Sequence, residues 1–246
     1  MTKLSVNLNK IATLRNARGG ERPSVVRAAR TCIEAGCHGI TVHPRPDARH
    51  IRRQDVLDLA AMLTTVEFNI EGYPSPEFLD LVCQMRPTQC TLVPDPPDVL
   101  TSNAGWNLAG DVAWLSAVLK RLHEHNIRVG LFLEPDRDQV RRAKDVGADR
   151  IELYTELYAR MFHTPERERV FEPYCRAAET AQEVEIGVNA GHDLDLDNLP
   201  FFAHRIPGLL EVSIGHALIA DALEMGLRQS VKAYLRALGY ITTRDL

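Results

Sequence analysis

No run of apolar residues in this 246-residue sequence approaches the ~20 that a membrane-crossing helix needs, so no membrane partner is expected. The opening residues, Met1-Thr2-Lys3-Leu4-Ser5-Val6-Asn7, lack the charged, apolar and small-residue sections of an export signal. A basic excess is missing too: 29 Lys and Arg stand against 33 Asp and Glu, a net charge of −4. That excludes nucleic-acid binding through a general positive field, and any anionic ligand must be met by a local cluster of positive charge. The five cysteines, Cys32, Cys37, Cys83, Cys90 and Cys175, are odd in number and form no CxxC pair. Neither a disulfide scaffold nor a structural zinc site fits them, and buried free thiols in a reducing cytoplasm are expected. With 15 Gly and 14 Pro the chain is neither collagen-like nor linker-dominated, and 45% hydrophobic residues exclude a disordered one.

What the sequence does contain is a rhythm. Short apolar, β-branched runs recur at residues 4–8, 39–43, 66–70, 90–93, 128–133, 150–153, 185–189 and 210–214. Stretches of helical character separate them, at 24–35, 53–63, 76–85, 111–125, 136–146, 166–183, 196–205 and 217–238. In Val112-Ala113-Trp114-Leu115-Ser116-Ala117-Val118-Leu119 the apolar positions fall at i, i+3, i+4 and i+7, as one buried helix face requires. Gly36 and Gly147 mark helix ends. Strands alternating with helices pair in parallel through right-handed crossovers, and the closed form of that pattern is the (β/α)8 barrel. A doubly wound open sheet would need a glycine-rich phosphate loop after an early strand. Asn9-Lys10-Ile11-Ala12-Thr13-Leu14-Arg15 stands there instead. The expectation is an α/β chain forming a single (β/α)8 TIM barrel over residues 1–246, with room for extra helices.

In such a barrel the chemistry belongs at the C-terminal strand ends. Those ends carry Asn7, His43 with Arg45, Glu71, Pro94 with the loop to Thr101, Glu134, Glu152, Asn189 with His192, and Gly215-His216. His43-Pro44-Arg45-Pro46-Asp47-Ala48-Arg49-His50 reads either as a proline-stiffened solvated loop or as a phosphate clamp with a nearby base. Glu71 suits an ion pair or, if partly buried, acid–base work. The turns Asn189-Ala190-Gly191-His192 and Gly215-His216 follow strands seven and eight, the customary phosphate position of this fold, although glycine also occupies such turns for conformation alone. Two His and a carboxylate would also suit a metal ion, but no HExxH or comparable spacing exists and no metal ligand is assigned. His123, His125, His163 and His204 read as ordinary surface residues.

Several strings are specific enough to compare. Ile11-Ala12-Thr13-Leu14-Arg15-Asn16-Ala17-Arg18-Gly19, Gly39-Ile40-Thr41-Val42-His43, Arg49-His50-Ile51, Asn189-Ala190-Gly191-His192 and Ile214-Gly215-His216-Ala217 resemble the pyridoxine 5′-phosphate synthase family, in order along nearly the whole chain. The resemblance implies condensation of 1-deoxy-D-xylulose 5-phosphate with 3-amino-2-oxopropyl phosphate, yielding pyridoxine 5′-phosphate, phosphate and water, without metal or organic cofactor. It implies roles for His43 as general base, Glu71 as a second acid–base residue, His192 as proton donor and Glu152 as transition-state stabiliser. Asn7, Arg18, Gly215 and His216 match contacts to the amino-ketone phosphate, whereas Arg45, His50 and Thr101 match contacts to the deoxyxylulose phosphate. The segment 95–107 is long enough to be a lid over the mouth. A homo-oligomer, an octamer, is also implied.

Two positions depart from the family pattern. Asn9-Lys10 stands where many members have an Asp-His pair that contacts the deoxyxylulose phosphate, and Asp193 follows the NAGH turn where glycine is frequent. Asp193 fits if its contact uses backbone N–H, and Asp tolerates a positive φ better than most residues. Two rival readings remain at this stage: a catalytically silent barrel that binds phosphorylated metabolites, and a metal-dependent lyase or isomerase of sugar phosphates.

Overall fold

Polar residues or glycine alternate with apolar ones along the short β-segments, and that alternation decides which way each side chain faces. The computed structural model describes residues 1–94 and 104–240. Strands β1 (Lys3–Asn7), β2 (Gly39–Val42), β3 (Glu67–Gly72), β4 (Gln89–Leu92), β5 (Arg128–Leu133), β6 (Arg150–Tyr154), β7 (Gly187–Gly191) and β8 (Leu209–Ile214) pair in parallel, each with the next, and β8 closes on β1. Around them run α1 (Asn9–Asn16), α2 (Val25–Glu34), α3 (Arg53–Met62), α4 (Pro76–Met85), α5 (Ala113–His123), α6 (Arg137–Asp145), α7 (Glu156–Met161), α8 (Arg167–Glu183), α9 (Leu199–Arg205), α10 (His216–Met225) and α11 (Leu227–Ala237). The expected (β/α)8 barrel is the fold.

The apolar half of each strand faces the helices. Leu4, Val6, Ile40, Val42, Ile70, Leu131 and Ile151 are fully buried in one cluster with helix residues such as Ala29 and Cys32 of α2 and Leu115 of α5. Each side chain of that size stabilises the fold by ~1.5–3 kcal/mol when taken from water. Four of the five cysteines are buried free thiols, as expected; Cys175 is only half-buried.

The other half of each strand fills the barrel, and here the chain departs from the Val/Ile/Leu filling usual for the fold. Ser5 and Thr41 hydroxyls meet at 2.7 Å, Asn69 Nδ2 donates to Thr41 Oγ1 at 3.4 Å, and Thr91 Oγ1 donates to Asn69 Oδ1 at 3.2 Å. At the floor Glu67 accepts from both Lys3 and Arg128, and Arg128 Nε donates to Gln89 Oε1 at 2.9 Å. Lys3, Glu67 and Arg128 sit on β1, β3 and β5, which are not neighbours, so these contacts cross the interior.

Three helical features differ from the sequence expectation. α1 follows β1 at once, because Ile11, Ala12 and Arg15 supply a buried face within its eight residues. α7 is a six-residue turn of helix, too short to show a period. The stretch expected as one helix over 217–238 is two, broken at Gly226 with φ 84°. Gly36 and Gly147 do end helices, at φ 102° and 97°.

Arg15 ties α1 to the loop that carries His50. Its guanidinium holds Asp55 at 2.5 and 2.9 Å and donates to the His50 carbonyl at 3.2 Å, and Asn16 Nδ2 donates to the same carbonyl at 2.7 Å. The side chains are 3% and 11% exposed, so removing one charge strands the other in low dielectric. Asp55→Asn is expected to lower stability by about 3 kcal/mol in urea denaturation. A loss below about 1 kcal/mol would mean that water screens the pair as it does at a surface.

Candidate active site

The C-terminal strand ends open into a cavity of about 530 Å³. Asn7, Asn9, Lys10, His43, Arg45, His50, Glu71, Glu152, His192, Asp193, Gly215 and His216 line it, so residues expected from six separate stretches of sequence meet at one place. Arg18 does not join them: it is exposed and outside the lining. The reason is α1, whose eight residues span about 12 Å, placing Asn9 and Lys10 at the mouth and Arg18 beyond the far end. Thr101, and the 95–103 part of the expected lid, lie outside the described residues. The described end of that segment is tied to the barrel, with Trp106 N–H donating to Phe132 O at 2.9 Å and its Nε1 to Leu92 O at 2.8 Å. Glu134 opens instead onto a separate hollow with Tyr154, Glu156, Leu157 and Arg160.

Hydrogen bonds knit the near side of the mouth. Asn7 Nδ2 donates to Glu71 Oε2 at 3.3 Å, Asn7 Oδ1 accepts from Asn9 N–H at 2.9 Å, and Asn9 Oδ1 accepts from His43 N–H at 2.9 Å. An aspartate oxygen could accept that last bond equally, so Asn9 keeps the positioning while dropping a negative charge. Gly215 packs closely beside them, since a Cβ there would lie 3.1 Å from Asn7 Cβ and press on that side chain. Gly215 also caps the N-terminus of α10, whose free N–H groups and positive dipole end favour an anion.

A cationic cluster occupies another part of the wall. His43 is buried, and burial, followed by the charges of Arg45, His50 and Arg49, holds its imidazole well below the usual histidine range. His50 is lowered to about 4, again by burial first and then by Arg45, Lys10 and Arg49. Both rings are therefore neutral at neutral pH, and the positive charge is carried by Arg45, Arg49 and Lys10. Lys10 is exposed and has no ion-pair partner among the described residues.

Carboxyls behave in the opposite sense. Burial, then the charges of Glu152 and Glu211, raises Glu71 well above the usual carboxylate range. Glu152 is pushed up to about 7 by burial and then Glu211, against the pull of His192. Gly191 makes room for it, because a Cβ there would lie 2.7 Å from Glu152 Oε1. The next residue, His192, takes the positive φ of 83°, so the strain falls on the histidine and not on Asp193. Asp193 uses its backbone N–H on Thr155 Oγ1 at 3.3 Å and its carboxylate on His192 Nδ1 at 2.5 Å, which orients the ring and leaves Nε2 unengaged by that pair.

Arg49, part of the clamp segment 43–50, also lines the cavity, as do Thr13, Thr91, Val93, Phe132 and Ser213, which were not expected as site residues. The signal that could have found Thr91 and Ser213 is the two-residue alternation of polar side chains inside the strands.

A family model described as pyridoxal phosphate biosynthesis protein PdxJ matches residues 4–240. The pyridoxine 5′-phosphate synthase of Porphyromonas gingivalis is 55% identical over 234 residues, 95% of this chain and 98% of that protein. That of Phocaeicola vulgatus is 54% identical over 239 residues, 97% of this chain and 99% of that protein. Among solved structures, a chain of Mycobacterium tuberculosis tryptophan synthase is similar with a TM-score of 0.66 at 13% identity, covering 98% of this chain and 93% of that one. At that identity the likeness concerns the fold alone.

Lys10 generates a test of the cationic wall. Lys10→Ala is expected to weaken binding of 1-deoxy-D-xylulose 5-phosphate about three- to five-fold, the worth of one part-exposed ion pair. The loss should shrink as salt is raised, because the Debye length falls from ~30 Å at 0.01 M to ~8 Å at 0.15 M. Titration calorimetry at two ionic strengths reads both effects, and equal affinities throughout would make Lys10 a bystander.

Proposed function

This chain belongs to the family of the pyridoxal phosphate biosynthesis protein PdxJ, and we propose that the cavity at its barrel mouth is where the family's ring-closing chemistry takes place. The activity is pyridoxine 5′-phosphate synthesis: 1-deoxy-D-xylulose 5-phosphate and 3-amino-2-oxopropyl phosphate condense to pyridoxine 5′-phosphate, phosphate and water. One observation carries the assignment to this cavity. The His43 imidazole, held below the usual histidine range by burial, and the Glu71 carboxyl, raised above the usual carboxylate range by burial, face one space between a cationic wall and a helix N-terminus.

Two phosphorylated substrates need two anion sites at a fixed separation, and holding both converts a bimolecular encounter into a local reaction. In our reading Arg45 and Lys10 take the phosphate of the sugar, with His50 as a neutral hydrogen-bonding neighbour and Asn9 fixing the loop. Asn7, Gly215 and His216 take the other phosphate at the start of α10. Arg18 is left out of this reading because it lies outside the cavity of its own chain.

Addition of the amine to a ketone, two dehydrations, loss of phosphate and ring closure demand proton transfers at several different atoms. His43, kept unprotonated by burial and cationic neighbours, is suited to accept the first proton. Glu71, kept protonated, is suited to give one to a departing hydroxyl and then to serve as a base. His192, oriented by Asp193, supplies a further proton from the opposite wall. Glu152 stands below them, buried, where it can stabilise charge that develops on an oxygen of the reacting chain.

We also take the whole chain as one catalytic domain and place it in the cytoplasm as an octamer. No described helix is long and apolar enough to cross a membrane, and the exposed Leu14, Leu157 and Leu223 offer apolar surface for subunit contacts.

Incubating the purified protein with both substrates should release pyridoxine 5′-phosphate and inorganic phosphate. Glu71→Gln and His192→Asn should each lower turnover by about two to four orders of magnitude, the usual worth of a general acid–base group. Circular dichroism should show both variants folded. Folded variants with near-parental turnover would remove the two residues from the chemistry, and a parent that binds both substrates without product would favour a sensor.

A further inference from the structure

Strand register sets three polar side chains in a row across neighbouring strands. Glu152 of β6 is opposite Asn189 of β7, and Asn189 is opposite Glu211 of β8. The second pairing depends on a register shift beside Val188 and Asn189 that skips Leu210, leaving it exposed and bringing Glu211 against the Asn189 amide. Neighbouring strands lie ~4.8 Å apart, so two carboxyls flank one amide inside the barrel. They are 5% and 2% exposed.

The two are not treated alike. Asn189 Nδ2 donates to Glu211 Oε1 at 3.3 Å, and Asn189 Oδ1 accepts from Arg150 Nη1 at 3.1 Å, so the amide couples Glu211 to a guanidinium. Lys3 and Arg128, the other floor cations, contact Glu67. Glu152 Oε2, by contrast, is buried without a hydrogen-bond partner. Two carboxylates one strand apart in low dielectric cannot both ionise cheaply.

We propose that Glu211 is a positioning residue which, joined through Asn189 to Arg150, carries the negative charge of this buried pair and keeps the proton on Glu152. The groups facing Glu211 are Lys3, Glu67, Arg128 and Arg150; those facing Glu152 are Glu71, Glu211 and His192. Burial raises both carboxyls to about 7; the charge of Glu211 adds to the rise at Glu152, whereas Arg150 works against the rise at Glu211. A neutral Glu152 donates a hydrogen bond to an oxygen gaining charge, where an ionised one would repel it. No bond is made or broken at Glu211. The consequence for turnover rests on the placement of Glu152 in the reaction site made above.

Infrared difference titration of the full chain tests this, with the protonated carboxyl band assigned by its loss in Glu152→Gln. In the parent that band should persist at pH 6. In Glu211→Gln its midpoint should fall by about one pH unit, a ten-fold change in ionisation. Glu211→Asp should restore most of the difference. The alkaline fall of kcat should move to lower pH by the same amount, with both KM values unchanged. A Glu152 midpoint that is the same in parent and Glu211→Gln overturns the proposal. If Glu211→Gln does not fold, the parent decides: the Glu152 band should titrate in two steps as Glu211 ionises, and a single step near the ordinary glutamate value overturns it. A midpoint that moves while the kcat profile stays fixed leaves the coupling standing and removes Glu152 from the reaction.

Discussion

A charge placed inside a closed parallel barrel loses its water and must be matched by another group or lose its ionisation. That constraint organises this protein. At the floor the matching is complete, with Glu67 held between Lys3 and Arg128. Higher up, hydroxyls and amides pair across β1 to β4 through Ser5, Thr41, Asn69 and Thr91. Toward the mouth the cations run out for the carboxyls. Burial and neighbouring carboxyls then raise Glu152 and Glu71 above the usual carboxylate range, so the carboxyls that open into the cavity hold protons to higher pH than they would in water.

The same rule acts with opposite sign on the adjoining wall. Arg45 and Arg49 beside His43 and His50 make a second positive charge expensive, so both imidazoles stay neutral. A neutral imidazole and a neutral carboxyl in one cavity are an unusual resting pair, because in water each would be charged somewhere in the same pH range. Together they supply an acceptor and a donor at neutral pH, which a sequence of additions and eliminations requires. The helical shell, the buried Arg15–Asp55 pair and the Asn7–Asn9–His43 bonds keep these groups in register.

Much of this was legible in the chain before any coordinates. The strand and helix rhythm reads through because each strand keeps one apolar face, and the rim residues read through because strand ends in this fold carry the chemistry. What stayed hidden has physical reasons. Glu211 sits inside a strand whose register shift no propensity reveals, and its inward direction depends on skipping Leu210. Arg18 belongs to a specific motif, yet α1 lies between it and the mouth, and that helix is too short to announce itself by period. The polar interior was present as alternation in Lys3-Leu4-Ser5-Val6-Asn7 and Glu67-Phe68-Asn69-Ile70-Glu71, but alternation in a barrel does not say which face is the inside.

The central claim is that burial inverts the ordinary ionisation order, leaving Glu71 protonated and His43 singly protonated at neutral pH. Neutron diffraction from crystals grown in deuterated buffer at pH 7 locates those protons directly. A deuteron on a Glu71 carboxyl oxygen and one deuteron on the His43 ring are the result this account predicts. A bare Glu71 carboxylate facing a doubly deuterated His43 would contradict it.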